Sequence, residues 1–166
     1  MLTITEATTA DIPVIRALAD KTWRHTYAKL LSPDQLEYML KTIYSPDALQ
    51  QNMTDGSQTF LLASDNGVPQ GFAAFGPRPE DQTVCKLHKL YVLPENHGKG
   101  YGRLLIDEVK KRIAAMQIYT LDLNVKKDNP ARTFYEKLGF AILREEDIPF
   151  GPYVLHDYVM RIKLSR

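Results

Sequence analysis

The apolar positions of this chain begin at a spacing of two, lengthen to a helical spacing, and shorten again. Leu2 to Ala7 alternates apolar with polar or small residues, as a half-buried strand does, and Thr8-Thr9 offer a hydroxyl cap to a helix. Ile12, Ile15, Leu18 and Ala19 lie at helical spacing and form its buried face. That helix runs into Trp23-Arg24-His25-Thr26-Tyr27, an aromatic stretch for a connecting region. Ser32-Pro33-Asp34-Gln35 then combines an N-cap serine, proline at the first helical position and glutamine three residues after the cap. It predicts a second helix through Leu36, Met39, Leu40 and Ile43. Ser45-Pro46-Asp47 repeats the start signal for a shorter helix through Leu49 and Met53.

Gln58 to Ser64 and Gln70 to Phe75 read as strands joined through Asp65-Asn66-Gly67, whose Asn-Gly pair marks a hairpin. A polar loop, Pro77 to Asp81, leads to a strand at Val84–Leu93. The glycine-rich segment His97 to Arg103 follows, then a helix to about Met116 and a strand from Ile118 to Val125. Lys126 to Pro130 opens another helix, which Gly139 closes as a C-cap. Phe140 to Arg144 and Tyr153 to Ile162 finish the chain as strands around Pro149-Phe150-Gly151-Pro152. This order predicts one domain, residues 1–166, with a mixed sheet and helices on its faces, α+β or α/β rather than simply doubly wound.

Composition narrows the function little. The 166 residues are 44% hydrophobic and 25% charged, with a formal net charge of +1, so no global field draws the chain to nucleic acid or an anionic membrane. The single cysteine, Cys85, excludes an internal disulfide and a cysteine-rich zinc site, no metal is called for, and a reducing cytoplasm is the simplest location. The N-terminus lacks the basic start and apolar run of a secretion signal, and no stretch approaches the ~20 apolar residues that span a bilayer.

Candidate chemistry gathers at Leu90-Tyr91-Val92-Leu93-Pro94 and His97-Gly98-Lys99-Gly100-Tyr101-Gly102-Arg103. A strand stops at proline, glycines permit close backbone approach, and the free amides of a helix's first turn come next. A phosphate suits that position, and Lys99 and Arg103 add local positive charge. The spacing excludes two familiar phosphate motifs. A P-loop needs Ser or Thr after Gly-Lys, whereas Lys99 precedes Gly100, and a dinucleotide fingerprint needs its third glycine at position 103.

His97 to Gly102, after Leu90–Pro94, resembles the Arg/Gln-x-x-Gly-x-Gly/Ala loop of the GNAT superfamily of N-acetyltransferases. Asn129-Pro130-Ala131-Arg132-Thr133-Phe134-Tyr135-Glu136-Lys137-Leu138-Gly139-Phe140 resembles a second segment of that family. Trp23–Tyr27, the Ser-Pro-capped helix and His156-Asp157-Tyr158-Val159-Met160 look like the bacterial spermidine/spermine-type members. His97 stands where the family carries Arg or Gln, and the Asn129–Tyr135 spacing is one residue shorter than usual.

The resemblance implies an α/β/α-layered fold with a mostly antiparallel twisted sheet of about seven strands, splayed at the fourth and fifth. It implies acetyl-CoA as co-substrate and a small-molecule amine, such as a polyamine, as acceptor. A homodimer is left open. The backbone of Gly98, Lys99, Gly100, Tyr101, Gly102 and Arg103 would hold the pyrophosphate, Leu90, Tyr91 and Val92 the pantetheine arm, with further cofactor contacts from His97, Asn129 and Tyr135. Tyr135 occupies the general-acid position, although a core tyrosine at helical spacing would look the same. His88 stands where relatives often carry a glutamate base. By alternation it shares a strand face with Lys86, Leu90 and Val92, whereas Cys85 lies on the other. Trp23, His25 and Tyr27 are acceptor-cleft candidates, with helix packing as the alternative. Asp34, Glu37 and Asp157 are the carboxylates that could attract a polyamine. An acyl-CoA-binding sensor without turnover and a protein or peptide N-acetyltransferase are the competing functions.

Overall fold

A computed structural model describes residues 1–166. Strand β1 (Leu2–Glu6) precedes a single 3-10 turn in which the Asp11 carboxylate accepts the Thr8 N–H at 2.8 Å, and helix α1 (Ile12–Tyr27) follows. Helices α2 (Pro33–Ile43) and α3 (Pro46–Thr54) start where the Ser-Pro signals stand. Ser32 Oγ accepts from the Gln35 amide and Ser45 Oγ from the Ala48 amide, each at 3.1 Å. Strands β2 (Thr59–Asp65) and β3 (Val68–Arg78) form the hairpin, and Asn66 and Gly67 both take positive φ, as a tight hairpin turn requires. The remaining elements are β4 (Asp81–Val92), α4 (Tyr101–Ala115), β5 (Thr120–Lys126), α5 (Ala131–Lys137), β6 (Ala141–Phe150) and β7 (Tyr153–Lys163).

The seven strands form one mixed sheet in the order β1-β2-β3-β4-β5-β7-β6, in which β4 and β5 run parallel. The predicted layered α+β fold is the one observed. Three departures from the sequence reading have an identifiable cause. The polar loop over 77–81 shrinks to Pro79 and Glu80, because Arg78 is still held in β3 by Asp122 and by the Gln82 side-chain amide, which donates to its carbonyl. Strand β6 runs on to Phe150, since its pairing with β7 continues to Phe150 opposite Tyr153, and Gly151 at positive φ turns the chain. Gly102 belongs to the first turn of α4, so only Gly98 and Gly100 adopt positive φ.

The chain divides into two compact units, Met1–Gly76 with His88–Val109, and Pro77–Leu87 with Lys110–Arg166. In the first, α1, α2 and α3 contact one another. Its buried side chains include Ile15, Leu18, Trp23, Leu49, Phe60, Leu62 and Phe72, with Leu105 and Ile106 from α4. In the second, Ile113, Leu121, Leu123, Val125, Phe140, Val159 and Met160 are buried. Its parallel ladder comprises Cys85 with Leu121, Lys86 with Asp122 and Leu87 with Leu123. No helix is long and apolar enough to cross a membrane.

Candidate active site

In the first unit, the aromatic residues of α1 meet the end of β4. Trp23 is 5% exposed and lies 4.5 Å from the Tyr27 ring and 5.8 Å from the rings of Tyr44 and Tyr91. Its indole N–H donates to the Tyr44 hydroxyl at 3.2 Å, so its polar tip is spent inside the cluster. Burial raises the Tyr44 pKa and keeps that hydroxyl protonated. The hydroxyls of half-buried Tyr27 and Tyr91 share a 3.1 Å hydrogen bond. Behind them, buried Lys89 donates to Gln58 Oε1 at 2.7 Å and lies 5.2 Å from the Phe60 ring, so hydrogen bonding and the ring face offset its desolvation. His88 and Leu90 are half-buried on β4. Exposed His25 stands edge-on to His97 at 5.8 Å.

The glycine loop is exposed and its backbone is set for an anion. Gly98 has φ of 89° and Gly100 of 83°, and a Cβ added to either would meet nothing within 4 Å. The Leu104 amide donates to the Gly100 carbonyl, so Gly100 caps α4 and the Tyr101, Gly102 and Arg103 amides precede the helix's first bond. The Lys99 ammonium rests on Asn96 Oδ1 at 3.1 Å, and Arg103 is exposed on the first turn. His97 Nε2 lies 3.1 Å from the Val92 carbonyl, which ties the ring to the strand end. The residues present therefore fit a phosphate-bearing ligand: open space over the glycines, unused amides and two cations.

The second unit holds Tyr135 and Asn129. Tyr135 is half-buried on α5, with its ring 5.3 Å from Phe134 and 5.8 Å from Phe140. Asn129 is buried, and its Oδ1 accepts the Ala131 amide at 2.9 Å, which starts α5. One face of this unit's sheet carries polar groups. Asp157 is 8% exposed and accepts from Asn124 Nδ2 at 3.3 Å; burial raises its pKa, and the nearby charge of Glu146, its register partner, pushes the same way. Lys86 has a lowered pKa, from burial first and then from the charge of Arg78. Cys85 is buried, and desolvation pushes its thiol up to about 11, so it is no nucleophile.

Of the other two polyamine candidates, Glu37 is exposed and held by Arg24, whose guanidinium lowers its pKa, and Asp34 is exposed on the first turn of α2.

Sequence reading missed several participants. Gln70 and Asn96 anchor the glycine loop, and Asp65 accepts from the Tyr101 hydroxyl at 3.2 Å. Asp122, wholly buried, accepts from Arg78 Nε at 3.1 Å and from Arg161 Nε at 2.6 Å. A signal for Asp122 did exist, because a carboxylate between Leu121 and Leu123 in an apolar strand needs a partner. No comparable pattern marks Gln70.

With the strand end, the anion-ready loop and α5 described, comparison with known proteins places the class. A family model described as an acetyltransferase (GNAT) domain matches residues 27–156. A probable N-acetyltransferase of Mycobacterium tuberculosis is 30% identical over 139 residues, 80% of this chain and 75% of that protein. The [ribosomal protein bS18]-alanine N-acetyltransferase of Haemophilus influenzae is 37% identical over 97 residues, 58% of this chain and 64% of its own. Among solved structures, the PaiA N-acetyltransferase of Thermoplasma acidophilum in complex with coenzyme A superposes with a TM-score of 0.83 at 24% identity, covering 98% of this chain and 99% of that one. The chain belongs to the GNAT acetyltransferase family. It is accordingly an acetyl-CoA-dependent N-acetyltransferase, and acetyl-CoA is its co-substrate.

Proposed function

We propose that residues 1–166 act as one acetyltransferase domain that moves an acetyl group from acetyl-CoA directly to a primary amine of a small molecule, with no acyl-enzyme, in the cytoplasm. The observation that carries the acceptor class is Asp157, a carboxylate kept where burial opposes its charge. An ammonium-bearing acceptor would add to the counter-charge that Lys86 and Lys126 supply only in part, and a polyamine would offer a second ammonium beyond the one that reacts.

In this reading the backbone from Gly98 to Arg103 cradles the pyrophosphate, chiefly through the amides of Tyr101, Gly102 and Arg103, with the Lys99 and Arg103 side chains as cations beside it. Leu90, Tyr91 and Val92 present backbone groups to the amide-bearing arm, and His97 and Asn129 border the cofactor. A backbone amide near Leu90 polarises the thioester carbonyl as negative charge develops there. His88 takes the proton that the acceptor ammonium must lose before attack, and Tyr135 gives a proton to the departing thiolate. Tyr27 and His25 line the acceptor side, with Trp23 packed behind them.

The Haemophilus relative supports a second reading, acetylation of the N-terminal amine of a protein. Thiol release from acetyl-CoA, measured across polyamines, amino acids, aminoglycosides and a peptide library, separates the two. Turnover on a free amine is expected; transfer confined to peptides would replace the acceptor class. In the same assay His88→Gln should flatten the acid limb of the pH-rate profile, and an unaltered limb would remove His88 from the mechanism.

A further inference from the structure

Between β2 and β3 the register shifts, so that Ala63 faces Gly71 but Ser64 faces Pro69, and Gln70 is left over as the extra residue of a bulge. Bulges re-aim the residue they extrude. Gln70 directs both its backbone and its side chain at the chain entering the glycine loop. Its carbonyl accepts the Leu93 amide at 2.9 Å, and its Oε1 accepts from the Asn96 side-chain amide. Neighbouring Gly71 permits the approach, since a Cβ there would sit 2.7 Å from the Tyr91 carbonyl oxygen.

Asn96 is 5% exposed and passes the attachment on. Its carbonyl accepts the Lys99 amide and its Oδ1 accepts the Lys99 ammonium, both at 3.1 Å. Beyond the glycines, Tyr101 is fastened by its hydroxyl to Asp65, on the same hairpin. His97 to Gly100 is thus an exposed span between two posts, and Gly98 and Gly100 would otherwise be among the most freely moving residues of the chain.

We propose that Gln70, Asn96 and Asp65 are positioning residues for cofactor binding, a hairpin clamp that holds the loop amides in their anion-binding arrangement before the ligand arrives. The clamp rests on the reading of the loop as the pyrophosphate site. A preordered loop loses less entropy on binding, so the clamp contributes to cofactor affinity and leaves the chemical step alone. Removing the half-buried acceptor at Gln70 strands the amide of buried Asn96, and about tenfold weaker binding of coenzyme A follows from the cost of one such unsatisfied group.

Calorimetry with coenzyme A and with pantetheine, which lacks the pyrophosphate, tests this in the full chain. Gln70→Met should raise the coenzyme A Kd and the acetyl-CoA KM about tenfold, with pantetheine binding and kcat at saturation within about twofold of the parent. Gln70→Glu keeps the acceptor for Asn96 and should bind coenzyme A more tightly than Gln70→Met, short of the parent because it adds a negative charge and loses the hydrogen bond to the Val68 carbonyl. Equal losses for coenzyme A and pantetheine, or unchanged coenzyme A affinity in Gln70→Met, would overturn the clamp. Should Gln70→Met fail to fold, Asp65→Ala at the second post carries the same decision, with about threefold weaker coenzyme A binding expected and parent affinity overturning the proposal. Gly100→Asp, which puts a negative charge beneath the phosphates, is the control: if it leaves affinity intact the cradle reading itself fails. Loss of binding there with none in the clamp variants sinks the clamp alone.

Discussion

At Asp157 the surroundings press a carboxyl toward its neutral form, through burial first and the neighbouring Glu146 charge as well, against the Asn124 hydrogen bond and the Lys86 charge. A folded-state pKa raised above the unfolded value, about 3.9 for aspartate, means the native state binds the proton more tightly. Stability is then lost as pH rises from the unfolded value through the folded one. Asp157→Asn should therefore raise the unfolding temperature at pH 7, and the gain over the parent should shrink as pH falls toward 4. If this carboxylate also holds the acceptor, the same variant loses amine affinity while gaining stability. Thermal unfolding at several pH values, beside KM for the amine, checks both halves. For Tyr135 the expectation is opposite in kind. Tyr135→Phe should lower kcat about 100-fold with little change in coenzyme A affinity, as removal of a general acid does. A variant with full kcat would leave Tyr135 as a packing residue beside Phe134 and Phe140.

Among elements, glycines show where strands and turns come too close for any side chain. A Cβ on Gly76, in β3, would lie 1.9 Å from the Ser57 carbonyl oxygen, a backbone atom that cannot swing aside. Gly76→Ala should cost about 2 kcal/mol or more through strain at that crossing, read from the midpoint of denaturant unfolding. Element boundaries were legible wherever the determinant lies within four residues. The Ser32 and Ser45 caps and the Asn66-Gly67 turn form as the sequence predicts. They were not legible where pairing with a distant strand prolongs an element. Residues 145–150 carry Glu145, Glu146, Asp147 and Pro149 and read as loop, yet they extend β6 because β7 lies alongside. The glycine loop was recognisable from its glycines and flanking elements. Its two posts on the hairpin were not.

For the molecule as a whole, the most consequential contact outside the candidate site is the ion cluster of the second unit. Asp122 draws Arg78 and Arg161 from the end of β3 and from β7, and its hydrogen bonds are the first cause of the raised Arg161 pKa. Removing the one buried carboxylate leaves two partly buried guanidinium groups facing each other. Asp122→Asn should cost about 3–5 kcal/mol, visible as a large fall in unfolding temperature. A small shift would mean that water takes over the arginines' hydrogen bonds.

The amino-acid sequence by itself determined the order of elements, their caps and turns, the anion-ready loop and the family, because each depends on residues within one turn or one short motif. Tertiary structure decided which polar groups meet: Gln70 with Leu93 and Asn96, Asp65 with Tyr101, and Asp122 with Arg78 and Arg161. The physical reason is that those partners lie 23 to 44 positions apart and become neighbours only through strand register and the bulge at Gln70. Composition carries no trace of register. The local pattern built the cradle, and the folded hairpin set its posts.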